Sequence, residues 1–447
     1  MKKVLILGAG LIVKPMVEYL LGKNIPILIA SPMKQRADSI INGNPLGSAV
    51  DWSMDDPEAL DIMVKEHDVV VSLLPYKYHT DVAKICIKHR KSLVTTTYVQ
   101  PEMRLLNQAA KDAGVLLLNE MGLDPGVDHM TAMKIIDYVH FKGGRIEEFY
   151  SLCGALPAPE CTDNPMKYKF TWSPKGVILA SRSSALYLKH GKEYFIDSAN
   201  LFKDRFSYNF SGIGEFEIYP NRDSISYKDI YEIPNVNTIF RGTLRYKGWC
   251  ETLDAMKAIG MLEDTPGDYE MMSYAEFTAE RAGLPVKDLR KNLAGKLGIN
   301  ESSVVMQSFD YLGFFDDEKL HYQETTPFEI TSDRMIRKMM MHDNERDMVL
   351  LQHIILASYP NGTREVIKSS MVDYGTPATN TATARTVALP AAIAVRLILE
   401  NKIMLSGVYR PVISSIYTPI LNELKTLGIR MDENYGLPES EMEMFKG

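Results

Sequence analysis

An α/β chain, with an open parallel sheet first and a mixed part after it, is what this sequence predicts, and three observations carry the expectation. Val4-Leu5-Ile6-Leu7 is a run of strand-forming aliphatics, Gly8-Ala9-Gly10 follows at once, and Val13, Val17 and Leu20 then recur at helical spacing with Pro15 inside the first turn. Strand, glycine turn and helix in that order open a dinucleotide-binding βαβ unit of Rossmann type. Gly8 permits the tight turn, and Gly10 lets backbone approach a pyrophosphate. The residues that follow, Leu11 and Ile12, lead into a helix N-terminus whose N–H groups face that anion. Val13 stands where the third glycine of the usual fingerprint would be, so a βα turn without a ligand is the other reading of this segment.

The 447 residues exceed what one core holds and imply two or three domains. Apolar content of 45% and charged content of 24% are those of an ordinary globular protein, and a net charge of −7 offers no basic face for nucleic acid. No apolar run reaches the roughly 20 residues that span a bilayer, so no membrane partner is expected. With the first strand starting at Val4, no leader is expected either, and the chain reads as cytoplasmic. Cys86, Cys153, Cys161 and Cys250 show no disulfide or metal-ligand spacing, and no metal is expected.

Each further element follows the opening. Ile27-Leu28-Ile29-Ala30 reads as the second strand, and Val69-Val70-Val71-Ser72-Leu73-Leu74 as a fully buried one stopped by Pro75. Ser92–Thr96 and Val115–Leu118 supply two more, with helical segments between. Near-continuous aliphatic strands separated by helices mean a parallel sheet covered on both faces, with ligands beyond the carboxyl ends of the strands. That rim collects Gly8, Ala9 and Gly10 with Leu74, Thr96, Thr97, Tyr98, Leu123, Asp124 and Pro125. After Gly126 strand-like pieces (Phe149–Cys153, Leu186–Lys189) alternate with loops, and Pro360-Asn361-Gly362 signals a hairpin between Met348–Ser358 and Thr363–Val372. Roughly Gly248 to His342 is helical by period, with Pro285 suited to a helix start, and Thr381–Asn401 is a further apolar helix with Pro390 as start or kink. The predicted division is a Rossmann domain over 1–125 with 380–447 packing back on it. An α+β substrate domain covers 126–247 and 343–379, and a mostly helical insertion covers 248–342.

The cofactor is read at the end of the second strand. NAD enzymes place Asp or Glu there for the ribose 2′-hydroxyl. Here Ser31 takes the position and Lys34 and Arg36 follow. Without a carboxylate to repel a 2′-phosphate, and with two cations to attract it, NADP(H) is favoured over NAD. The other reading makes Lys34 and Arg36 solvated charges on a helix start.

Several rim segments together carry a resemblance. Leu73-Leu74-Pro75-Tyr76, Val94-Thr95-Thr96-Thr97-Tyr98-Val99 and Gly122-Leu123-Asp124-Pro125-Gly126-Val127-Asp128-His129 are similar to the glutamate-forming saccharopine dehydrogenases, also called saccharopine reductases. Cys153–Glu160, Asn164-Pro165, Tyr168–Ser173, Tyr219–Ser224, Arg241–Tyr246 and Glu345–His353 continue the match in order. The resemblance implies a Rossmann domain, an α/β substrate domain and a helical part closing over the cleft. It also implies NADP(H)-dependent interconversion of saccharopine with glutamate and 2-aminoadipate 6-semialdehyde. Where relatives often carry Arg after the second strand this chain has Pro32, so the 2′-phosphate contact falls to Ser31 and Lys34 or Arg36.

Saccharopine is a secondary amine with three carboxylates, so its site needs cationic forks and a group that manages the amine proton. Arg222 and Arg245 suit the first need, because guanidinium binds carboxylate bidentately, with a structural arginine the alternative for each, and Thr243, Thr97 and Tyr98 complete a polar lining. Asp124 is the ionisable group placed to act on the amine, and Tyr98 is a second candidate, for proton relay; a turn-capping aspartate is the alternative for Asp124 and a packed hydrogen-bonding tyrosine for Tyr98. Cys153 reads as a small strand residue, since imine reduction needs no thiol nucleophile. His129 and His79 read as hydrogen-bonding residues and Lys77 as an accessory loop lysine. The substrates are small molecules, and a homodimer is the oligomer considered. Carboxynorspermidine- or homospermidine-type enzymes and amino-acid amine dehydrogenases share imine chemistry but have fewer substrate carboxylates, and a non-catalytic nucleotide sensor is the reading from another class.

Overall fold

A computed structural model describes residues 2–322 and 324–445. The chain divides into two compact units, one of residues 1–146 with 357–436 and the other of residues 147–356 with 437–447.

The first unit is built on a seven-stranded parallel sheet. Its strands are β1 (Val4–Leu7), β2 (Ile27–Ala30), β3 (Gly47–Val50), β4 (Val69–Ser72), β5 (Ser92–Thr95), β6 (Leu116–Leu118) and the late strand Gly407–Tyr409. They lie in the order 3-2-1-4-5-6 with Gly407–Tyr409 beyond β6, and β1 pairs β2 and β4 in register at Val4↔Ile27 and Val4↔Val69. The order reverses direction between β1 and β4, which opens a crevice at their carboxyl ends. All four residues of β1 are fully buried, as an aliphatic strand between two helical layers must be. The sequence pattern missed β3, whose Gly-Ser-Ala-Val is half-exposed, and Gly407–Tyr409, which is only 3 residues long.

The helix Ala382–Leu399 packs against the helix Lys14–Gly22. It is long and apolar enough to cross a membrane by composition, but 78% of it is buried inside this unit. Thr381 caps it, accepting the Ala384 N–H at 3.0 Å, so Pro390 lies inside the helix rather than starting it. The turn at 360–362 closes as the sequence signals, with Tyr359 N–H donating to Thr363 C=O at 3.0 Å.

The second unit has a mixed sheet. Phe206–Phe210, Gly214–Pro220, Thr238–Arg245, Arg145–Pro157 and Asp347–Ser358 follow one another across it. Thr238–Arg245 runs parallel to Arg145–Pro157, with Thr243↔Cys153, and antiparallel to Gly214–Pro220, with Tyr219↔Thr243 and Glu217↔Arg245. The helices Trp249–Ala258, Tyr274–Ala282, Leu289–Leu297, Val304–Leu312 and Pro327–Met339 belong to this same unit. Pro285 precedes the third of them by four residues and does not begin it; Asp288 is its N-cap.

Candidate active site

The carboxyl ends of the parallel strands carry the expected rim. Gly8 has φ +108°, and a Cβ there would meet the Leu73 carbonyl oxygen at 3.2 Å, so glycine lets the turn after β1 close against the end of β4. A Cβ at Gly10 would meet nothing within 4 Å. Protein leaves that volume open ahead of the helix Lys14–Gly22, and a cradle of bare backbone at a helix N-terminus fits a pyrophosphate. Ser31 is buried and its hydroxyl accepts the Met33 N–H at 3.1 Å. Lys34 and Arg36 are exposed on the helix Lys34–Ile41, where Lys34 pairs with Asp38 at 2.6 Å.

On the same rim Tyr98 donates its hydroxyl proton to Asp124 Oδ1 at 2.9 Å. Asp124 stands in a tight loop: the Asp124–Pro125 peptide is cis, Gly122 N–H donates to Pro125 C=O at 2.9 Å, and Val127 N–H donates to Gly122 C=O at 2.9 Å. A Cβ at Gly126 would stand 2.0 Å from the Gly122 oxygen, which ties the loop to glycine at that position. Asp124 and Tyr98 are both half-buried, whereas Leu123 and Pro125 are buried.

A buried ion network lies directly behind this pair. Glu120 (φ +60°, 2% exposed) receives His129 Nε2 on Oε2 at 2.6 Å, and Val99 N–H and Arg410 Nε on Oε1, each at 2.8 Å. Burial opposes its charge, but His129, Arg410 and the Val99 amide outweigh that and hold its pKa down to about 2. His79, buried at the start of the helix His79–His89, is hydrogen-bonded to Ser72 Oγ at 2.9 Å and Thr95 Oγ1 at 3.3 Å, and desolvation lowers its pKa to about 4. Both histidines are hydrogen-bonding members of the scaffold.

In the second unit, Arg222 follows the strand Gly214–Pro220, exposed and with φ +52°, its carbonyl accepting the Leu186 N–H at 2.8 Å. Thr243 is half-buried two residues before Arg245 on the strand Thr238–Arg245. Arg245 is 7% exposed, yet no described carboxylate lies within 4.0 Å of it. Among the described residues its one acceptor is the Leu244 carbonyl, at 2.8 Å from one terminal nitrogen, and Nε has none. The ionisable groups around it are Tyr219, Tyr168, Cys250 and Cys153. Burial pushes the Tyr219 hydroxyl up to about 12 and raises Tyr168 and Cys250 as well, so these neighbours are neutral near pH 7. A guanidinium stays charged at any such pH. A buried cation so arranged is suited to an anion that the protein does not itself provide.

Residues 4–118 match the saccharopine dehydrogenase NADP binding domain, and residues 122–429 match the saccharopine dehydrogenase C-terminal domain. The chain belongs to the saccharopine dehydrogenase family. It is 36% identical to the saccharopine dehydrogenase (NADP+, L-glutamate-forming) of Pyricularia oryzae, covering 98% of each chain. To that of Saccharomyces cerevisiae it is 37% identical, covering 95% of this chain and 97% of the other. The solved apo structure of the histidine-tagged S. cerevisiae saccharopine dehydrogenase (L-Glu forming) aligns with a TM-score of 0.89 at 36% identity, over 97% of this chain and all of that one.

In this saccharopine dehydrogenase-family chain, the first unit carries Thr97, Tyr98 and Asp124, and the second carries Arg222, Thr243 and Arg245. The Glu120–His129–Arg410 network escaped sequence reasoning because Arg410 lies 290 residues from Glu120. The aromatic neighbours of Arg245 escaped as well, although Trp249 stands only four residues after it.

Proposed function

We propose that this chain is an NADP(H)-dependent oxidoreductase that interconverts saccharopine with L-glutamate and 2-aminoadipate 6-semialdehyde. The observation that carries the proposal is Arg245, a buried guanidinium with no carboxylate partner among the described residues, in a chain whose near-full-length relatives are saccharopine dehydrogenases. A polyamine-forming enzyme of similar chemistry has fewer substrate carboxylates to present to such a group.

A bound nicotinamide supplies or accepts the hydride at the carbon of the C–N bond. The chain's own residues do the rest. Gly8, Ala9, Gly10, Leu11 and Ile12 form the turn that receives the dinucleotide, with Leu74, Thr96, Thr97, Leu123 and Pro125 lining the same rim and Ser31, Lys34 and Arg36 at the adenosine end. Arg245 and Arg222 hold substrate carboxylates, and Thr243 adds a hydroxyl. Asp124 takes the proton from the substrate ammonium, so that loss of hydride from the adjacent carbon leaves an imine. Water adds to that carbon, and the carbinolamine C–N bond breaks to give the semialdehyde carbonyl and the glutamate amine, which takes up a proton from Asp124. The same steps run backwards in the other direction. Tyr98, already hydrogen-bonded to Asp124 at 2.9 Å, relays protons between that carboxylate and water.

Purified protein with saccharopine and either NADP+ or NAD+, followed at the absorbance band of the reduced nicotinamide, tests this directly. NADPH and glutamate should appear together, faster than NADH; no reduction of either cofactor overturns the proposal. Asp124→Asn should slow turnover and alter its pH profile, whereas Cys153→Ser should retain most activity, because hydride transfer to an imine forms no acyl intermediate. The reverse pattern would exchange the two roles.

A further inference from the structure

Arg245 has no counter-ion among the described residues, so something else must fix a buried guanidinium in one orientation. We infer that Tyr168 and Trp249 are positioning residues for the substrate carboxylate, holding the Arg245 guanidinium by cation–π contact where a structural arginine would have an acidic partner. The inference rests on the proposed role of Arg245 and extends it to two residues that touch the arginine, not the substrate.

Four observations support it. The Arg245 guanidinium carbon lies 5.0 Å from the Tyr168 ring centroid and 5.7 Å from that of Trp249, both inside the range of cation–π attraction. The two rings are packed on each other, with centroids 4.4 Å apart, and Phe170 abuts both edge-on at 5.4 and 6.3 Å, so the aromatic wall is itself braced. Both residues are 1% exposed, which removes the water that would otherwise weaken the attraction. The cluster is also short of acceptors: among the described residues, Arg245 Nε and Trp249 Nε1 have no hydrogen-bond partner. A purely structural arrangement would satisfy such buried groups.

The neighbouring acidic residue does not supply what is missing. Glu217 is the cross-strand partner of Arg245 in register, but its Oε1 takes Arg205 Nε at 3.0 Å, with Arg205 also reaching Glu251 at 3.5 Å. Glu217 Oε1 is thereby paired with Arg205, and no described carboxylate reaches within 4.0 Å of Arg245, which is left to its rings. This has a physical consequence for recognition. A carboxylate counter-ion would compete with the ligand for the guanidinium fork, whereas a π face holds the cation and leaves its N–H edge available. The backbone brings the wall and the arginine together simply: Trp249 opens the helix that follows the strand ending at Arg245.

The test measures saccharopine binding to the full-length protein saturated with NADPH, a combination that cannot turn over, by calorimetry. Site-specific replacement of Trp249 by tryptophans of increasing ring fluorination keeps the shape and weakens the π face. The saccharopine Kd should rise stepwise to about tenfold, with NADPH affinity and Tm unchanged. Trp249→Phe and Tyr168→Phe should stay within a few-fold of the parent, and Trp249→Leu should exceed both. On an Arg245→Ala background, fluorination should change nothing further, because the cation is gone. A flat fluorination series, or the same increment with and without Arg245, would overturn the inference while leaving saccharopine as the substrate. Failure of the unmodified protein to bind saccharopine would overturn the proposed function and this inference together.

Discussion

Glu120 in the first unit and Arg245 in the second are both charged and almost fully buried, at 2% and 7% exposure. Glu120 has both oxygens occupied, by His129, Arg410 and the Val99 amide. Arg245 has one carbonyl and two aromatic rings, and no carboxylate within 4.0 Å among the described residues. Burying an ion costs several kcal/mol unless partners compensate it. In Glu120 the compensation is complete, and the carboxylate ties the chain after β5, the chain after β6, the helix Val127–Phe141 and the segment after Gly407–Tyr409 into one rim. Compensation from the described residues is incomplete at Arg245, which suits it to the ligand-binding role proposed above. The comparison sets a charge whose partners all come from the chain against one proposed to read the substrate.

The strongest challenge to that separation is truncation of Arg245. If a substrate carboxylate completes it, Arg245→Ala should cost about 2–5 kcal/mol in saccharopine kcat/KM, roughly 30- to several-thousand-fold. Arg245→Lys should recover only part, since an ammonium lacks the planar fork. Arg222, being exposed, should cost less than Arg245 when truncated, as a solvent-screened charge does. NADPH binding should scarcely move in either variant. Saturation kinetics decide the matter, and near-normal kcat/KM in Arg245→Ala would make this arginine structural.

Glu120→Ala should do the opposite: lose stability first. Removing one partner of a buried pair leaves His129 and Arg410 facing each other without their anion, a loss of about 3 kcal/mol. Chemical denaturation should show it, and Glu120→Gln should fall between the two because it keeps a hydrogen-bonding carbonyl. A stable Glu120→Ala protein with a large rise in saccharopine KM would erase the contrast with Arg245.

His79 sharpens the comparison with a group buried in its neutral form. Its folded pKa, about 4, lies below the ordinary 6.5 because burial disfavours the imidazolium. An unfolded chain therefore takes up the proton first as pH falls, and the stability that neutral His79 contributes is complete above pH 6.5 and is lost on acidification toward pH 4. Between pH 7 and pH 5 the difference is about 2 kcal/mol. Replacing His79 with Asn should flatten thermal stability over that interval; an unchanged slope would assign the acid sensitivity to other groups.

How much of this was legible in the sequence depends on distance along the chain. β1, the glycine turn and the first helix are local, so Val4–Leu7, Gly8 and Pro15 announced them. The rim was legible because strand ends in a parallel sheet converge whatever lies between, which puts Tyr98 and Asp124 on one rim, though not their 2.9 Å contact. β3 was hidden because its half-exposed Gly-Ser-Ala-Val lacks an aliphatic run, and Gly407–Tyr409 because it is only 3 residues long; both take their stability from pairing, not from pattern. The Glu120 network was hidden for a related reason: a buried ion cluster leaves no periodic trace when its members come from three distant segments. Trp249 was readable at four residues from Arg245, but a tryptophan at the start of a helix looks like ordinary core until the missing carboxylate is noticed.

The smallest expected effect concerns charges that are neither buried nor short of partners. Lys34 and Arg36 are exposed, and Lys34 already has Asp38 at 2.6 Å in an i,i+4 pair. An exposed ion pair is worth roughly 0.2–1 kcal/mol, so a 2′-phosphate is a small gain for each cation, and for Lys34 it takes the place of Asp38. The phosphate carries up to two charges, and the N-terminus of the helix Lys34–Ile41 adds its own attraction. Together these give about 1–2 kcal/mol. Replacing Lys34 and Arg36 together with Ala should therefore weaken NADPH about 5- to 30-fold and leave NADH nearly unchanged. The NADPH loss should also shrink at high salt, since every group involved is exposed to screening. Titration of both cofactors by fluorescence, at low and high ionic strength, tests the two halves together. Equal losses for NADPH and NADH would mean that these cations do not read the 2′-phosphate, and that the missing carboxylate at Ser31 alone selects the cofactor.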